Sequence, residues 1–441
     1  MKPSDKRLGI LWITLYVVFA IAPLLFMLVG ERPMGRAFIR ELSIAFGLTG
    51  IGLMALHFVL TARIAAVKAP YGSDIVYFFH HKIAYVTLFL WLAHPLILVY
   101  AFGWNWGLLN IFTGAWRQKW GIGSVVALLV LVIWSLLRRR YRSDYVRWRI
   151  WHGVLASLAM LAVMTHAFMV GRYIGTPLKQ GFWVIYGGLA VLMVLYLRVL
   201  KPLQMLRKPY RVAEVRPELG DTYSLVLEPE GHTGMRFQPG QFAWLTAFRS
   251  PFAAHEHPFS FSSSSEQHDR IEFGIKELGD FTSTIKDLAI GTRVYIDGPY
   301  GAFTPDRHVD DDELVLIAGG VGISPIMSIL RSMADRGDKR PATLLYGSYG
   351  LDWATFREDL DALQERLNLR VVHVLERPPE GWEGEKGYVT RDMLTRYLPA
   401  KGTRYCVYIC GPTPMLNAVE RALESLGVPR SRIILERFDL A

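Results

Sequence analysis

Two cysteines, Cys406 and Cys410, are all that a chain of 441 residues contains. They are too few for a four-cysteine iron–sulfur cluster or zinc site, and nothing suggests a disulfide framework. Charged residues are also sparse, at 20% of the chain against 51% hydrophobic. The shortage is uneven. Residues 1–208 hold long uncharged runs, whereas residues 209–441 read as a water-facing protein. Acids are outnumbered as well: 39 Asp and Glu against 49 Lys and Arg give a net charge of +10. The basic residues gather at the ends of apolar runs, so a bilayer surface accounts for them and no nucleic-acid partner is expected. A chain of this length predicts about three domains.

Six apolar segments stand out, at 8–30, 42–62, 83–102, 121–137, 150–170 and 181–197. Most reach the roughly 20 residues that span hydrocarbon as a helix, and the fourth and sixth lie near the lower limit. The first has no clear small-residue cleavage site and reads as a retained span rather than a signal peptide. Lys2, Lys6, Arg7, Arg63, Lys68, the arginines of 138–149 and the basic residues of 198–208 fall on one side. Arg32, Arg36, Arg40, Arg117, Lys119, Arg172 and Lys179 fall on the other. The positive-inside rule then predicts a multi-pass cell-membrane protein with both termini in the cytoplasm. Trp104, Trp106, Trp116 and Trp120 fit plain anchoring at the outer interface.

The third and fifth segments carry histidines at one repeated interval. Fourteen residues separate His80 from His94, and fourteen separate His152 from His166. At about 3.6 residues per turn that is close to four turns, so each pair shares a helix face. The two levels lie roughly 21 Å apart along the axis. Both segments run outward, so His80 and His152 share the inner level, and His94 and His166 the outer one. Two bis-histidine sites stacked across a bilayer suit two haems b that pass electrons and need no open iron position. The plain alternative for a membrane histidine is a hydrogen bond between helices. His57, with no partner at matching spacing, reads that way. His81 would break the interval and reads as an interfacial neighbour of Lys82.

From Tyr210 the period becomes alternating. Short strands are predicted at 211–215, 223–227, 242–246, 270–276 and 293–297, with a short helix opening at Gly279-Asp280-Phe281-Thr282. The pattern predicts a small antiparallel β-barrel. After an acidic linker at 310–313, a buried strand at 314–318 runs into Gly319-Gly320-Val321-Gly322-Ile323-Ser324-Pro325 and a helix to about Met333. Strand, glycine turn and helix form a nucleotide-binding arrangement, although Pro325 stands where the dinucleotide fingerprint has its third glycine. Strands at 343–346, 370–375 and 405–410 and helices at 355–367 and 415–425 complete a doubly wound α/β domain. The last strand ends in Cys410-Gly411-Pro412, at the sheet edge where ligands bind. Cys410 reads as a small residue packed near the cofactor; a nucleophile would need a base, and none is evident.

These motifs, in this order, resemble the ferric reductase/NADPH oxidase superfamily over nearly the whole length. The resemblance implies a six-span haem-binding domain at 1–208, an FAD-binding barrel at 209–309 and an NAD(P)-binding domain at 310–441. It implies that Pro258, Phe259 and Ser260 of the motif opened by His257 lie along the flavin ring, and that Lys276, Gly279 and Thr282 hold the FAD pyrophosphate. Gly320, Gly322 and Pro325 would take the dinucleotide, with Cys410, Gly411 and Pro412 beside the nicotinamide. Phe438 would cover the flavin face where nicotinamide docks, ordinary packing being the alternative. His257 stands where many soluble reductases have arginine, as in the membrane branch. Many NADP-specific relatives carry an arginine soon after the strand ending at Ser348. Here Tyr349 follows and Arg357 is further on, so NADPH and NADH both stay open.

The implied function is an NAD(P)H-dependent oxidoreductase with FAD and two haems b. Ferric chelates are the first expected extracytoplasmic acceptor, and dioxygen yielding superoxide is the second. A different class is an electron-transfer module feeding a periplasmic or membrane partner protein. A third is a flavin reductase with the spans as an anchor, which the histidine interval argues against.

Overall fold

The computed structural model describes residues 3–30, 34–64, 72–138, 140 and 144–437 and, of residues 3–6, 73 and 74, the backbone alone. The chain separates into two compact units, divided near residues 202 and 203.

The first unit is built from six apolar helices long enough to cross a membrane. They are α1 (Pro3–Met27), α2 (Phe38–Thr61), α3 (Ser73–Ala101), α4 (Trp116–Leu137), α5 (Tyr145–Val170) and α6 (Pro177–Leu195). Several begin earlier than their apolar runs, because polar residues can cap or open a helix without being apolar. The Asp144 carboxylate accepts from the N–H groups of Val146 and Arg147, and so starts α5 ahead of Ile150. Gly171 ends α5 in the left-handed conformation, at φ 68°. Thr176 caps α6 ahead of Pro177 at its first turn. The helical path then continues to Leu206 through a π turn at Tyr196–Leu200, giving 30 residues where the apolar run had looked marginal.

Helix α2 is the most buried of the six. Two of its glycines face α3: a Cβ on Gly47 would lie 3.2 Å from His94 Nδ1, and one on Gly50 would lie 2.3 Å from the Trp91 ring. Small residues let membrane helices pack backbone to backbone, where no hydrophobic driving force separates helix from lipid.

The second unit opens with a six-stranded antiparallel sheet. Its strands are β1 (Tyr210–Glu218), β2 (Thr222–Pro229), β3 (Phe242–Thr246), β4 (His257–Ser260), β5 (Ile271–Lys276) and β6 (Arg293–Tyr300), in the order β4-β3-β6-β1-β2-β5. A bridge between Phe261, just past β4, and Phe273 of β5 brings the two edges together and closes the barrel. Phe261, Phe273, Leu225, Leu227 and Val294 fill its interior.

A parallel sheet follows, ordered β10-β9-β8-β7-β11-β12. Its strands are β7 (Glu313–Gly319), β8 (Ala342–Ser348), β9 (Leu369–Leu375), β10 (Glu385–Lys386), β11 (Tyr405–Cys410) and β12 (Ile433–Glu436). Helices α8 (Ile323–Arg336), α9 (Arg357–Arg366), α10 (Arg391–Tyr397) and α11 (Thr413–Ser425) pack on it; α7 (Asp280–Ser283) is the short helix of the barrel. The expected acidic linker is no loose tether. Asp311 pairs with Arg432, and Asp312 with Arg404 at 2.8 Å, so both join the sheet's own domain.

Arg331 of α8 ties barrel to sheet. It reaches Glu272 of β5 at 2.7 Å, the Ser262 carbonyl at 2.9 Å and Asp359 of α9 at 3.0 Å. Ser324 donates to the Gly274 carbonyl at 3.1 Å. A Cβ on Gly274 would stand 2.5 Å from the Ser324 hydroxyl and 2.9 Å from the Phe356 ring, so only glycine admits that approach.

Candidate functional site

In the helical unit, α3 and α5 bring their histidines together at two levels. The rings of His80 and His152 have centroids 6.3 Å apart, and so do those of His94 and His166. An imidazole nitrogen lies about 2 Å from a first-row metal, and the ring centre about 1 Å behind it, so two rings on opposite sides of one metal have centroids on the order of 6 Å apart. His81 turns elsewhere and bonds the Tyr85 hydroxyl at 2.8 Å.

The hydrogen bonds decide which nitrogen each ring offers. His94 Nδ1 lies 2.8 Å from the Ser43 carbonyl, and His166 Nδ1 lies 2.7 Å from the Arg117 carbonyl. A carbonyl only accepts, so both Nδ1 atoms carry the proton and both Nε2 atoms are bare. His152 Nδ1 lies 3.2 Å from the Ser135 hydroxyl, which donates its own proton to the Leu131 carbonyl at 2.7 Å. Ser135 Oγ therefore accepts from His152 as well. His80 Nδ1 lies 3.0 Å from His57 Nδ1. All four rings are thus engaged at Nδ1, and no protein hydrogen bond to their Nε2 atoms occurs among the described residues. Bare Nε2 atoms in facing pairs are suited to hold a haem iron, with the second nitrogen of each ring held by the protein. Glycine makes room here too: a Cβ on Gly121 would lie 2.8 Å from His166 Nδ1. Among the described residues no group of three or more His, Cys, Asp or Glu could hold a bare metal ion, a requirement a porphyrin removes.

In the barrel, β4 pairs with β3, setting His257 opposite Leu245, Pro258 opposite Trp244, Phe259 opposite Ala243 and Ser260 opposite Phe242. The His257 ring stacks on Phe281, centroids 3.9 Å apart and planes 14° apart. Ser260 Oγ is buried with no hydrogen-bond partner among the described residues. A buried hydroxyl without a partner is costly and fits a polar ligand edge, such as that of a flavin ring. Thr282 fastens the loop: its oxygen accepts from the N–H groups of Leu278 and Gly279, at 2.8 and 2.9 Å. The Lys276 ammonium lies 5.3 Å above the Trp353 ring.

In the parallel sheet, β7 is flanked by β8 on one side and β11 on the other. The chain leaves β7 for β8 on one side and β11 for β12 on the other, and such a reversal opens a crevice at the carboxyl ends of the strands. Ala318 and Cys410 are paired there, which sets Gly319-Gly320 beside Gly411-Pro412. A Cβ on Gly322 would lie 2.3 Å from the Cys410 carbonyl oxygen, and Gly320 takes a left-handed φ of 52°. Pro325 is buried in the first turn of α8. Cys410 is fully buried, and burial followed by Glu436 pushes its thiol well above its usual value, so it is held as a neutral thiol. Phe438 lies outside the described residues.

Sequence reading missed one arginine at this edge. Arg377, just past β9, places its guanidinium 4.9 Å over the Tyr349 ring, and its N–H donates to the Tyr349 carbonyl at 2.8 Å. Inspecting only the residues that follow Ser348 could not find it, since it arrives from the neighbouring strand. Sequence reading also left Ser43, Ser135 and the Arg117 carbonyl unassigned, because each acts on a histidine of another helix.

Three family models match the chain: "Ferric reductase like transmembrane component" over residues 46–163, "FAD-binding domain" over 210–304 and "Oxidoreductase NAD-binding domain" over 316–421. NADH-cytochrome b5 reductase 1 of Pyricularia oryzae is 35% identical over 180 residues, which cover 38% of this chain and 57% of that protein. The reductase component of propane 2-monooxygenase from Rhodococcus jostii is 32% identical, covering 54% and 64% of the two chains. Its counterpart from Mycolicibacterium goodii is 33% identical, covering 54% and 68%. Thus the chain spans 57% and 64% of the first two of these relatives. A solved cytochrome P450 reductase from Amycolatopsis is 26% identical with a TM-score of 0.47, covering 52% of this chain and 69% of that one. The reductase relatives account for about half of the chain; the matched membrane component lies ahead of the FAD and NAD modules, and with that order the chain belongs to the ferric reductase/NADPH oxidase superfamily.

Proposed function

We propose that the chain carries electrons from cytoplasmic NAD(P)H across the bilayer to an acceptor on the far side, with ferric chelates as that acceptor. The carrying observation is the pair of facing histidine sets at two levels, each ring tied at Nδ1 and bare at Nε2. When bound, FAD supplies the conversion of a two-electron hydride into single electrons, and two haems b supply one-electron carriers.

The chain's own residues do the rest. Gly320 and Gly322 let backbone approach the dinucleotide phosphates, with Pro325 opening α8 behind them. Gly411 and Pro412 shape the nicotinamide side of the crevice, and the neutral Cys410 thiol adds bulk without charge. His257, Pro258, Phe259 and Ser260 would line the flavin, with the Ser260 hydroxyl available to its polar edge. Lys276, Gly279 and Thr282 would hold its pyrophosphate, and Phe438 would cover the ring. His80 with His152, and His94 with His166, would hold the two haems. The distribution of basic residues supports cytoplasmic termini, which puts the His80–His152 level towards NAD(P)H.

Ferric chelates are favoured over dioxygen by the charge at the His94–His166 end. Arg36, Arg40, Arg117, Lys119 and Arg172 lie there, and Glu41 is the acid among the described residues of that end, bonded to the Tyr173 hydroxyl. A basic rim draws anionic chelates and is indifferent to dioxygen.

The test is an absorption spectrum of the detergent-purified protein, before and after NADPH or NADH. Two haems per chain, reduced by nucleotide and reoxidised by ferric chelate, are expected. His94→Ala should remove one haem and stop reduction of the outer acceptor while nucleotide still reduces the flavin. A flavin-only spectrum after haem-replete expression would overturn the reading.

A further inference from the structure

The four histidines differ in what holds their Nδ1 atoms. Two meet backbone carbonyls and one meets a hydroxyl, but His80 meets a second imidazole. That ring, His57 of α2, is buried. Its protonation follows from its neighbours. Thr87 donates its hydroxyl proton to the Ile83 carbonyl at 3.1 Å, so the lone pairs of Thr87 Oγ1 remain. His57 Nε2 stands 3.1 Å from that oxygen and must be the donor. A neutral imidazole with its proton on Nε2 has a bare Nδ1. His57 Nδ1 therefore accepts, and His80 Nδ1 carries the proton between them. The relay runs from a backbone carbonyl through Thr87 and His57 to His80, and leaves His80 Nε2 as a lone pair on a ring that faces His152.

We infer that His57 is a positioning residue that sets the tautomer of His80 and gives the His80–His152 haem a lower reduction potential than the His94–His166 haem. An sp² imidazole nitrogen accepts a hydrogen bond more strongly than a carbonyl or hydroxyl oxygen does. The stronger acceptor makes the ligand more basic, and a more basic ligand stabilises ferric over ferrous iron. The inference rests on the two-haem reading above and adds to it an order of potentials that favours outward transfer.

The experiment is a redox titration of the haem-loaded protein, followed optically and by electron paramagnetic resonance. His57→Phe keeps a ring and loses the acceptor. It should raise one of the two potentials by about 59 mV, a tenfold change in the one-electron equilibrium, and leave the other in place. In a His94→Ala background the shifted haem should be the one that remains. Thr87→Val frees the tautomer of His57 and should shift the same potential in the same direction by less. His57→Gln, whose carbonyl oxygen can accept from His80, should restore part of the change. Unmoved potentials in His57→Phe with both haems bound, or a shift confined to the other haem, would overturn the inference. Where His57→Phe loses its haem, Thr87→Val decides: a raised potential supports the inference and an unchanged one overturns it. A wild-type protein without haem overturns the two-haem reading instead.

Discussion

Gly121 has no side chain, and that is its contribution. A Cβ there would lie 2.8 Å from His166 Nδ1, closer than real Cβ atoms come, and a tight 3.0 Å from Cε1. Gly121→Ala should push the His166 ring off the Arg117 carbonyl and away from His94. The expected outcome is one haem per chain instead of two by pyridine haemochrome, with the helices retained by circular dichroism. Two haems with an unchanged spectrum would mean the ring has room to move. At this scale the sequence was half legible. The interval of fourteen announced which histidines pair, because helical geometry is set by the backbone. It could not announce Ser43, Ser135, Gly47 or Gly121, since what they touch lies on another helix and depends on packing. For the same reason His57 was legible as a polar residue between helices but not as the partner of His80.

Helices α2 and α4 carry none of the four paired histidines, and each serves one that does. Ser43 and His57 of α2 hold His94 and His80 of α3; Arg117 and Ser135 of α4 hold His166 and His152 of α5. The strands of the other unit were legible from alternation, and the glycine turn from its neighbours. The short edge strands β4, β10 and β12 were not, because a two- or four-residue strand has too little period to read. Nor was the latch between barrel and sheet, made by Arg331. Burial pushes the Glu272 carboxyl up, but Arg331 and the neighbouring hydrogen bonds outweigh it and hold Glu272 below its usual value of 4.5. A depressed carboxyl contributes stability that is present above pH 4.5 and is lost as pH falls through the lowered value. Arg331→Met should therefore destabilise the flavin–nucleotide unit by on the order of 3 kcal/mol near neutral pH, because Glu272 is left buried with a poorer partner. The gap from wild type should narrow as pH falls below 4.5 and through the lowered value. Thermal melts of both proteins across that range would check it, and a gap independent of pH would assign the loss to packing alone.

Over the whole molecule, charge follows two plans: basic residues gather at the ends of the apolar spans, whereas the flavin–nucleotide unit pairs many of its charges, as Arg331 with Glu272 and Arg404 with Asp312. If the basic rim at the His94–His166 end gathers anionic ferric chelates, kcat/KM for such a chelate should fall several-fold as salt rises from about 0.01 to 0.15 M, where the screening length drops from about 30 to 8 Å. Reduction of dioxygen, being uncharged, should hardly change over the same range. Equal salt dependence for both would remove the argument from charge. The three-part order of the chain was legible in full, since hydropathy and period change sharply near residues 208 and 310. The direction of insertion was inferred from charge alone, and here the two cysteines matter again. Both are buried; burial and then Asp311 push the Cys406 thiol up to about 12, and burial and then Glu436 push the Cys410 thiol well above its usual value. Neither should take up maleimide while the protein is folded. The native chain is then chemically silent towards thiol dyes, and a single cysteine placed in any loop becomes a unique label. An impermeant dye applied to whole cells can read which loops face out without any native residue having to be removed.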